Sequence, residues 1–591
     1  MNKKIQILSF LFLGFSSVAF SQIKEEKLIL DKKREPEVKK IEKKKTSVET
    51  IKNYPPKEKK IQDSLNLKYD ISDVSAVSDF KPTSIQGSDI SPKFTQDYST
   101  SYVQLGMGNY GNILADANIS TILESNMEVG VDAHFLSTNG LKKLYPWSSK
   151  QNTTDLGLFL NNYGEKGKFN INAEYSATNY NYYGIYAMSP ASDLNLKQGI
   201  DEIKVNGYYD FYSNNILNDV RVKSSFLNDT YKSKESGVAL LANLSKHSVS
   251  VKDDIVLNAD LGLGVETLKS TFKHLNENST DYLKGMISPK LTFFKGESYL
   301  KVGVDINFLN SKHSGKQLLE QEKSNDVYFF PQAELQITPI DAFKFYAGVD
   351  GGLDLNSYSD MLQDNPYLAP DQLIKATETK YHFYVGIKGD VNETLKYDVS
   401  AGFAKANNIM FFKANDLFNT DVNSARYAYD FANSFSAAYD NGTISTVKAN
   451  LNYFPLANLL IDGELKFSKY NLDNHADIYY VPLVSASFGA KYTMLDKKLL
   501  LGFKALFSSD RKTNAYEISE DLLNPGSYRS TLQNGTKVGG YADLNLSAEY
   551  KFHKNFSIFA NGNNLLNSNY QIYKGYKVLG AQVLGGIKIT F

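Results

Sequence analysis

The chain has no cysteine and a single tryptophan, Trp147, in 591 residues. Without cysteine there is no disulfide, thiol nucleophile, thiolate zinc or iron–sulfur site, and no lipid-bearing Cys of a bacterial lipoprotein. Long apolar runs are missing too, which excludes a polytopic helical membrane protein with spans of about 20 residues. The 65 Lys and Arg balance the 65 Asp and Glu, so no basic footprint marks nucleic acid as a partner. The seven histidines, His134, His247, His274, His313, His382, His475 and His553, stand singly without ligand spacing, and neither metal nor cofactor is expected. Gly106 to Gly111 matches a dinucleotide fingerprint, yet a hairpin follows where that chemistry needs a helix N-terminus. No nucleophile elbow appears, so the chain reads as a non-enzyme.

What is abundant is Tyr (40), Phe (35) and Gly (39). Lys3 and Lys4, an apolar core from Ile5 to Gly14, and Ala19-Phe20-Ser21 before Gln22 read as a signal peptide over 1–21. From Gln22 to Gln62, 14 Lys and Arg meet 8 Asp and Glu, a charge of +6. This stretch, with Pro36, Pro55 and Pro56, has too little apolar surface to offset its ordering entropy. Residues 22–97 are therefore expected to be a mostly disordered periplasmic segment. Subtracting 14 and the two signal lysines from 65 leaves 49 basic residues in 63–591, and subtracting 8 from 65 leaves 57 acidic ones, a net of −8. Neutrality is thus the sum of a basic tail and an acidic body.

From about Tyr98 the dominant signal is alternation of apolar and polar residues. Leu544, Leu546, Ala548 and Tyr550 alternate with Asp543, Asn545, Ser547, Glu549 and Lys551; Leu300, Val302, Val304, Ile306 and Phe308 alternate with Lys301, Asp305 and Asn307. A period of two places the sets on opposite faces of a strand. A soluble sandwich and a membrane barrel both accept such strands. Sandwich strands run about five or six residues, whereas many of these reach ten or more, the length needed to cross a bilayer at a tilt.

The connections alternate between short and long. Short ones are expected at 124–126, 163–167, 212–215, 246–253, 295–297, 338–341, 390–393, 454–458, 495–497 and 553–555. Long ones are expected at 140–153, 178–199, 228–234, 268–279, 310–324, 356–379, 404–425, 470–477, 511–537 and 567–579, after a tight outer hairpin at Asn109-Tyr110-Gly111. Twenty-one connections predict an all-β antiparallel transmembrane barrel of 22 strands over 98–591. In this count 425–454 is one very long strand, although Asp440-Asn441-Gly442 is a hairpin signal. Val583, Ile587, Ile589 and Phe591 share one face of the last strand, and such an aromatic-ended strand looks like a barrel-insertion signal for the assembly machinery.

Three places carry a further signal: Asn365-Pro366-Tyr367-Leu368-Ala369-Pro370, Asn564-Leu565-Leu566-Asn567 with Tyr570, and the terminal Gly585 to Phe591. In these the chain resembles the TonB-dependent outer-membrane receptors, in particular Bacteroidota-type relatives. The likeness is good over roughly 326–591 and weaker over 98–325. The resemblance implies an integral outer-membrane barrel of a Gram-negative cell, in contact with lipid, passing or gating small solutes. The family carries a plug of well over a hundred residues inside the barrel, and here only 22–97, rich in Lys, Glu and Pro, precedes the first strand. The chain is therefore expected to be a plugless relative, which puts TonB in doubt as a partner. The alternative is a non-transport anchor or subunit of an envelope complex, with a surface lipoprotein or periplasmic partner and the tail as tether.

Inward residues such as Lys204, Asn206, Asp210, Asp305, Glu464, Lys466, Asp543 and Glu549 read as a solvated lumen wall, with an acidic excess that mildly favours cations. The outer loops place aromatics near the extracellular end: Tyr145, Trp147, Tyr180, Tyr182, Tyr183, Tyr186, Phe411 and Phe412. They fit an interfacial aromatic girdle or a recognition surface for sugars or proteins.

Overall fold

The computed structural model describes residues 101–591, apart from 125, 142–144, 186–189, 192, 213–215, 253, 317–321, 419–425 and 525–526. The expected signal peptide and the charged segment 22–97 lie outside the described residues.

Twenty-two antiparallel strands form one sheet in which sequence neighbours pair. The first strand, Tyr102–Gly108, pairs on one edge with Ile113–Glu124 and on the other with the last strand, Gln582–Thr590. Tyr102 faces Thr590 and Gly108 faces Leu584, so the sheet closes on itself. Closure removes both edges, which lets a sheet stand in lipid with every backbone polar group bonded.

The alternation sets the faces. Leu546 and Tyr550 are exposed on the outer surface while Asp543 is buried inside. The same holds around the ring, with Leu158, Ile171, Val222, Leu240, Val265, Leu300, Phe329, Val385, Leu465 and Ile558 all exposed. An apolar surface of this extent is stable against hydrocarbon rather than water. Among the described residues no helix is long and apolar enough to cross a membrane; the strands do so instead.

The inner wall is polar, and many of its charges are met by neighbouring side chains. Glu334 accepts from the Tyr299 and Tyr384 hydroxyls and lies 3.7 Å from Lys301. Asp219 accepts from Arg221 Nε and Asn243 Nδ2, each at 2.9 Å. Lys588 reaches Glu549 at 3.1 Å, and the Tyr346 hydroxyl donates to Asp398 at 2.5 Å.

Short and long connections alternate as expected, with three differences of extent: the eighth strand, Lys234–Lys252, runs through most of the turn expected at 246–253, the loop expected at 511–537 holds a hairpin of its own, Arg511–Glu520 paired with Tyr528–Val538, and a third follows the fifteenth strand. The fifteenth strand, Leu395–Ala414, runs on through Phe411 and Phe412, and the sixteenth is Phe435–Leu456. The connection is therefore 415–434 rather than 404–425. Burial of Phe411 and Phe412 keeps the backbone extended there. Asp440-Asn441-Gly442 does not turn the chain; it lies in the sixteenth strand beside a bulge between Ala406 and Ile409, and the Asp440 carboxylate accepts from the backbone N–H groups of Asn474 and His475. The tight hairpin at Asn109–Gly111 has Tyr110 and Gly111 both left-handed, at φ 57° and 66°, as a two-residue turn between twisted strands requires. A Cβ on Gly111 would come within 2.0 Å of Asn139 Nδ2, so the glycines of the dinucleotide-like pattern serve the turn.

Candidate functional site at the outer mouth

Residues 355–376 join the thirteenth strand, Phe343–Asp354, to the fourteenth, Thr377–Val391. Leu355, Tyr358, Met361, Leu362, Tyr367, Leu368, Ala369 and Ile374 are all buried. A connection this apolar cannot stand in water, and it folds inward across the barrel mouth.

The crossing begins with a short helix, Tyr358–Asp364, capped by the Ser357 hydroxyl, which accepts from the Asp360 amide. Its first-turn amides dock on the wall. Tyr358 N–H donates to Glu235 Oε2 at 2.6 Å and Ser359 N–H to Glu235 Oε1 at 3.0 Å. The Ser270 hydroxyl donates to the same carboxylate at 2.5 Å. The Ser359 hydroxyl reaches Glu202 at 2.7 Å and the Tyr358 hydroxyl reaches Asp229 at 3.2 Å. Three carboxylates from the outer ends of the sixth, seventh and eighth strands, Lys197–Phe211, Leu217–Asp229 and Lys234–Lys252, thus surround the positive end of the helix.

The segment then meets both walls. The Tyr180 hydroxyl donates to the Pro366 carbonyl, and the Tyr182 hydroxyl donates to the Leu368 carbonyl at 2.7 Å. Ala369 N–H donates to the Phe435 carbonyl at 2.8 Å, and Phe435 N–H to the Tyr367 carbonyl at 3.0 Å. Gln372 ties the same edge, donating to the carbonyls of Ala369 and Phe435 and accepting from Ala437 N–H. Tyr180 lies on the fifth strand, Gly167–Asn181, and Phe435 on the sixteenth. In a ring of 22 these strands stand opposite each other. Farther along, Asp371 accepts from Asn276 N–H at 2.9 Å and Asn278 Nδ2 at 2.7 Å. Burial lifts its carboxyl above the ordinary range against the pull of those bonds.

Aromatic rings fill the remaining space. Tyr367 stacks on Tyr576 with centroids 3.4 Å apart, and Tyr183 meets Tyr576 edge-on at 5.0 Å. Trp147 packs on Phe431 at 5.2 Å, Tyr231 on Tyr429 at 5.0 Å and Tyr480 on Tyr573 at 5.0 Å. Each such pair contributes about 0.5–1.5 kcal/mol beyond the area it buries. The hydroxyls are used as well: Tyr573 donates to the Asp364 carbonyl at 2.8 Å and Tyr576 to the Asn433 carbonyl. Burial pushes the Tyr358 and Tyr573 hydroxyls far above their ordinary values, so they stay protonated donors. At the rim, His274 sits edge-on to Tyr427 at 4.5 Å. Burial, and next Lys232, hold its pKa below the ordinary value. On the short-turn side of this seal, the inward residues Asn450, Asn452 and Glu464 are exposed and line a polar lumen.

The sequence-predicted aromatics converge here. Trp147, Tyr180, Tyr182, Tyr183 and Phe412 are buried members of the mouth core. Phe411 is buried beside it, edge-on to His475. Tyr145 is half-buried, and its hydroxyl accepts from Lys577 Nζ at 2.8 Å. Tyr186 lies outside the described residues. Of the insertion-signal residues, Val583, Ile587 and Phe591 are exposed on the outer face, and Ile589 pairs with Val103 and Phe556 across the closing strands. The Asn365 to Pro370 element is the part of the segment that bonds to both walls. Asn564 staples the other motif, donating to the carbonyls of Ser568 and Leu579, while the Tyr570 hydroxyl donates to Asp543 at 2.7 Å.

Glu235, Tyr358, Tyr429 and Tyr576 were missed by sequence reasoning. The available signal was the apolar content of 355–376, which a solvated loop would not carry.

Neither a protein-family model nor a curated protein sequence matches the chain. Solved structures do. The ferric-catecholate import receptor Fiu of E. coli K12 superposes with a TM-score of 0.59 at 9% identity, over 83% of this chain and 81% of that one. The siderophore receptor PiuA of Acinetobacter baumannii gives 0.57 at 10% identity, over 83% and 82%, and the copper transporter OprC gives 0.55 at 12%, over 83% and 79%. At these identities the likeness is one of fold: a 22-stranded barrel of the kind TonB-dependent receptors share.

Proposed function

We propose that the chain is an integral barrel of a Gram-negative outer membrane that gates the passage of small solutes, with 355–376 as the gate at its outer mouth. The observation that carries this reading is the seal itself: one segment bonded to opposite walls above a polar lumen. A barrel serving only as an anchor would need no such closure. Its neighbours in fold are import receptors and a metal transporter by name, which supports transport over enzymatic activity. We extend the reading to a plugless barrel whose 22–97 segment stays on the periplasmic side, without energy coupling through TonB.

Planar-bilayer conductance tests this on the whole mature chain and on a variant with 357–373 replaced by a short Gly-Ser linker. Larger pores in the variant support a gate. Equal conductance in both, with the barrel folded, removes the gating reading.

A further inference from the structure

Lysines that face each other across adjacent strands repel, and such like-charge pairs are destabilising unless something compensates them. Lys448 on the sixteenth strand lies directly opposite Lys466 on the seventeenth, Leu459–Leu472. Both face the lumen, because Val447 and Leu465 beside them are exposed on the outer surface. Among the described residues neither lysine forms an ion pair within 4.0 Å. Glu464, two residues from Lys466 on the same face, forms none either.

The surroundings are rich in hydroxyls. The register row through the pair reads Ser400, Lys448, Lys466 and Ser485 across four strands. One step toward the mouth, Gly402, Thr446 and Ser468 lie side by side. Ser468 is 95% buried, being 5% exposed, yet its hydroxyl has no hydrogen-bond partner. The carboxylates of Asp398 and Glu464 stand in the next register row, but neither comes within ion-pair distance of the two lysines, and an unmet buried hydroxyl on the same face as two facing ammonium groups is an independent sign of a missing acceptor. Gly402 keeps the wall open here: a Cβ would come within 2.5 Å of His382 Nε2 and 3.0 Å of Thr446 Oγ1. His382 is oriented from behind by Asp350, which meets its Nδ1 at 3.1 Å, so its Nε2 is turned toward this patch.

We propose that Lys448 and Lys466, with the hydroxyls of Ser468 and Thr446, form a binding site for a small oxyanion on the lumen wall, taking phosphate or the phosphate group of a small solute. Two cations and an array of neutral donors match a tetrahedral oxyanion, whose several acceptor oxygens can be met at once. The site deepens the transport reading, since it gives a solute in the lumen a place to dwell, but its existence does not depend on passage.

The test is equilibrium binding to the purified full-length protein in detergent, with inorganic phosphate and glycerol 3-phosphate as separate probes and chloride held constant. Saturable binding of either probe, weakened at least ~10-fold in Lys448→Gln/Lys466→Gln and about 3- to 10-fold in Ser468→Ala, supports the site. Binding of glycerol 3-phosphate alone identifies an organic phosphate as the ligand. No saturable binding to the native chain, or equal binding to the double variant, overturns the proposal. Heat-modifiability on gels establishes that each variant is a folded barrel, and Ser468→Ala keeps the test open if the double variant is not. Vesicle uptake of the same probes is measured separately: binding without uptake defeats transport and leaves the site standing, whereas uptake without binding does the reverse.

Discussion

Replacing Glu235 with alanine should open the outer mouth. Its two carboxylate oxygens hold the amides of Tyr358 and Ser359 at 2.6 and 3.0 Å in a buried setting. Truncation leaves both N–H groups without an acceptor, at about 1–3 kcal/mol for each unsatisfied group. Even at the low end, about 2 kcal/mol for the pair, the open population rises roughly 30-fold. The absence of cysteine makes this measurable, because one introduced thiol is the only one in the molecule. Met361 is fully buried within the seal, so a Met361→Cys protein should react slowly with a membrane-impermeant maleimide. The same thiol in a Glu235→Ala background should react about 30 times faster when closing outpaces labelling. Glu235→Gln should fall between, since one oxygen remains to accept. Equal labelling rates in the two backgrounds, with both proteins heat-modifiable on gels, would refute the latch.

Three other outcomes follow from the same contacts. Tyr576→Ala removes a ring stacked on Tyr367 and edge-on to Tyr183, so about 3–5 kcal/mol of packing should be lost from the seal while the barrel persists; limited proteolysis should then cut within 355–376 first. His274 gives the seal a pH dependence: its folded pKa lies below its ordinary 6.5, so the neutral form is favoured, the contribution is present above 6.5 and it is lost as pH falls toward the folded value. Glu235, pushed up to about 6 by burial, and Asp371, also raised, act in the opposite sense, so the His274 contribution is read as a difference: on going from about pH 7.5 to 5.5, the ratio of Met361→Cys labelling rates should be higher in the native background than in His274→Gln. Phe591→Asp should reduce the amount of barrel assembled in cells while leaving refolded protein stable, and unchanged assembly would show that the last aromatic is dispensable.

The barrel was legible because its physics is local. Leu544 to Lys551 displays both faces of a strand in eight letters, and a polar turn such as Lys295-Gly296-Glu297 marks where the chain reverses. The strand end at Ala414 was not legible. Phe411 and Phe412 continue the strand only because distant residues bury them: His475 and Tyr479 for Phe411, Tyr573 for Phe412. The mouth was half legible. Its aromatics stood out, but their convergence joins Tyr180 to Pro366 and Tyr573 to Asp364, contacts that no periodicity encodes. The Lys448–Lys466 pair was hidden for a related reason: each lysine alone is an ordinary wall residue, and only the register makes them neighbours.

The closing pair of strands also carries the largest loop-closure entropy in the barrel. Other neighbouring strands meet across at most a few tens of residues, whereas Tyr102 must find Thr590 from the far end of the chain. Closure entropy grows as 1.5RT times the logarithm of loop length, so this meeting costs about 3 kcal/mol more than a hairpin of ~20 residues. It is made over only seven residues, Tyr102–Gly108. The strand that ends beside the terminal aromatic is therefore the one whose partner is farthest along the chain, and a catalyst that grips the last strand and delivers the first would offset the largest closure entropy in the barrel.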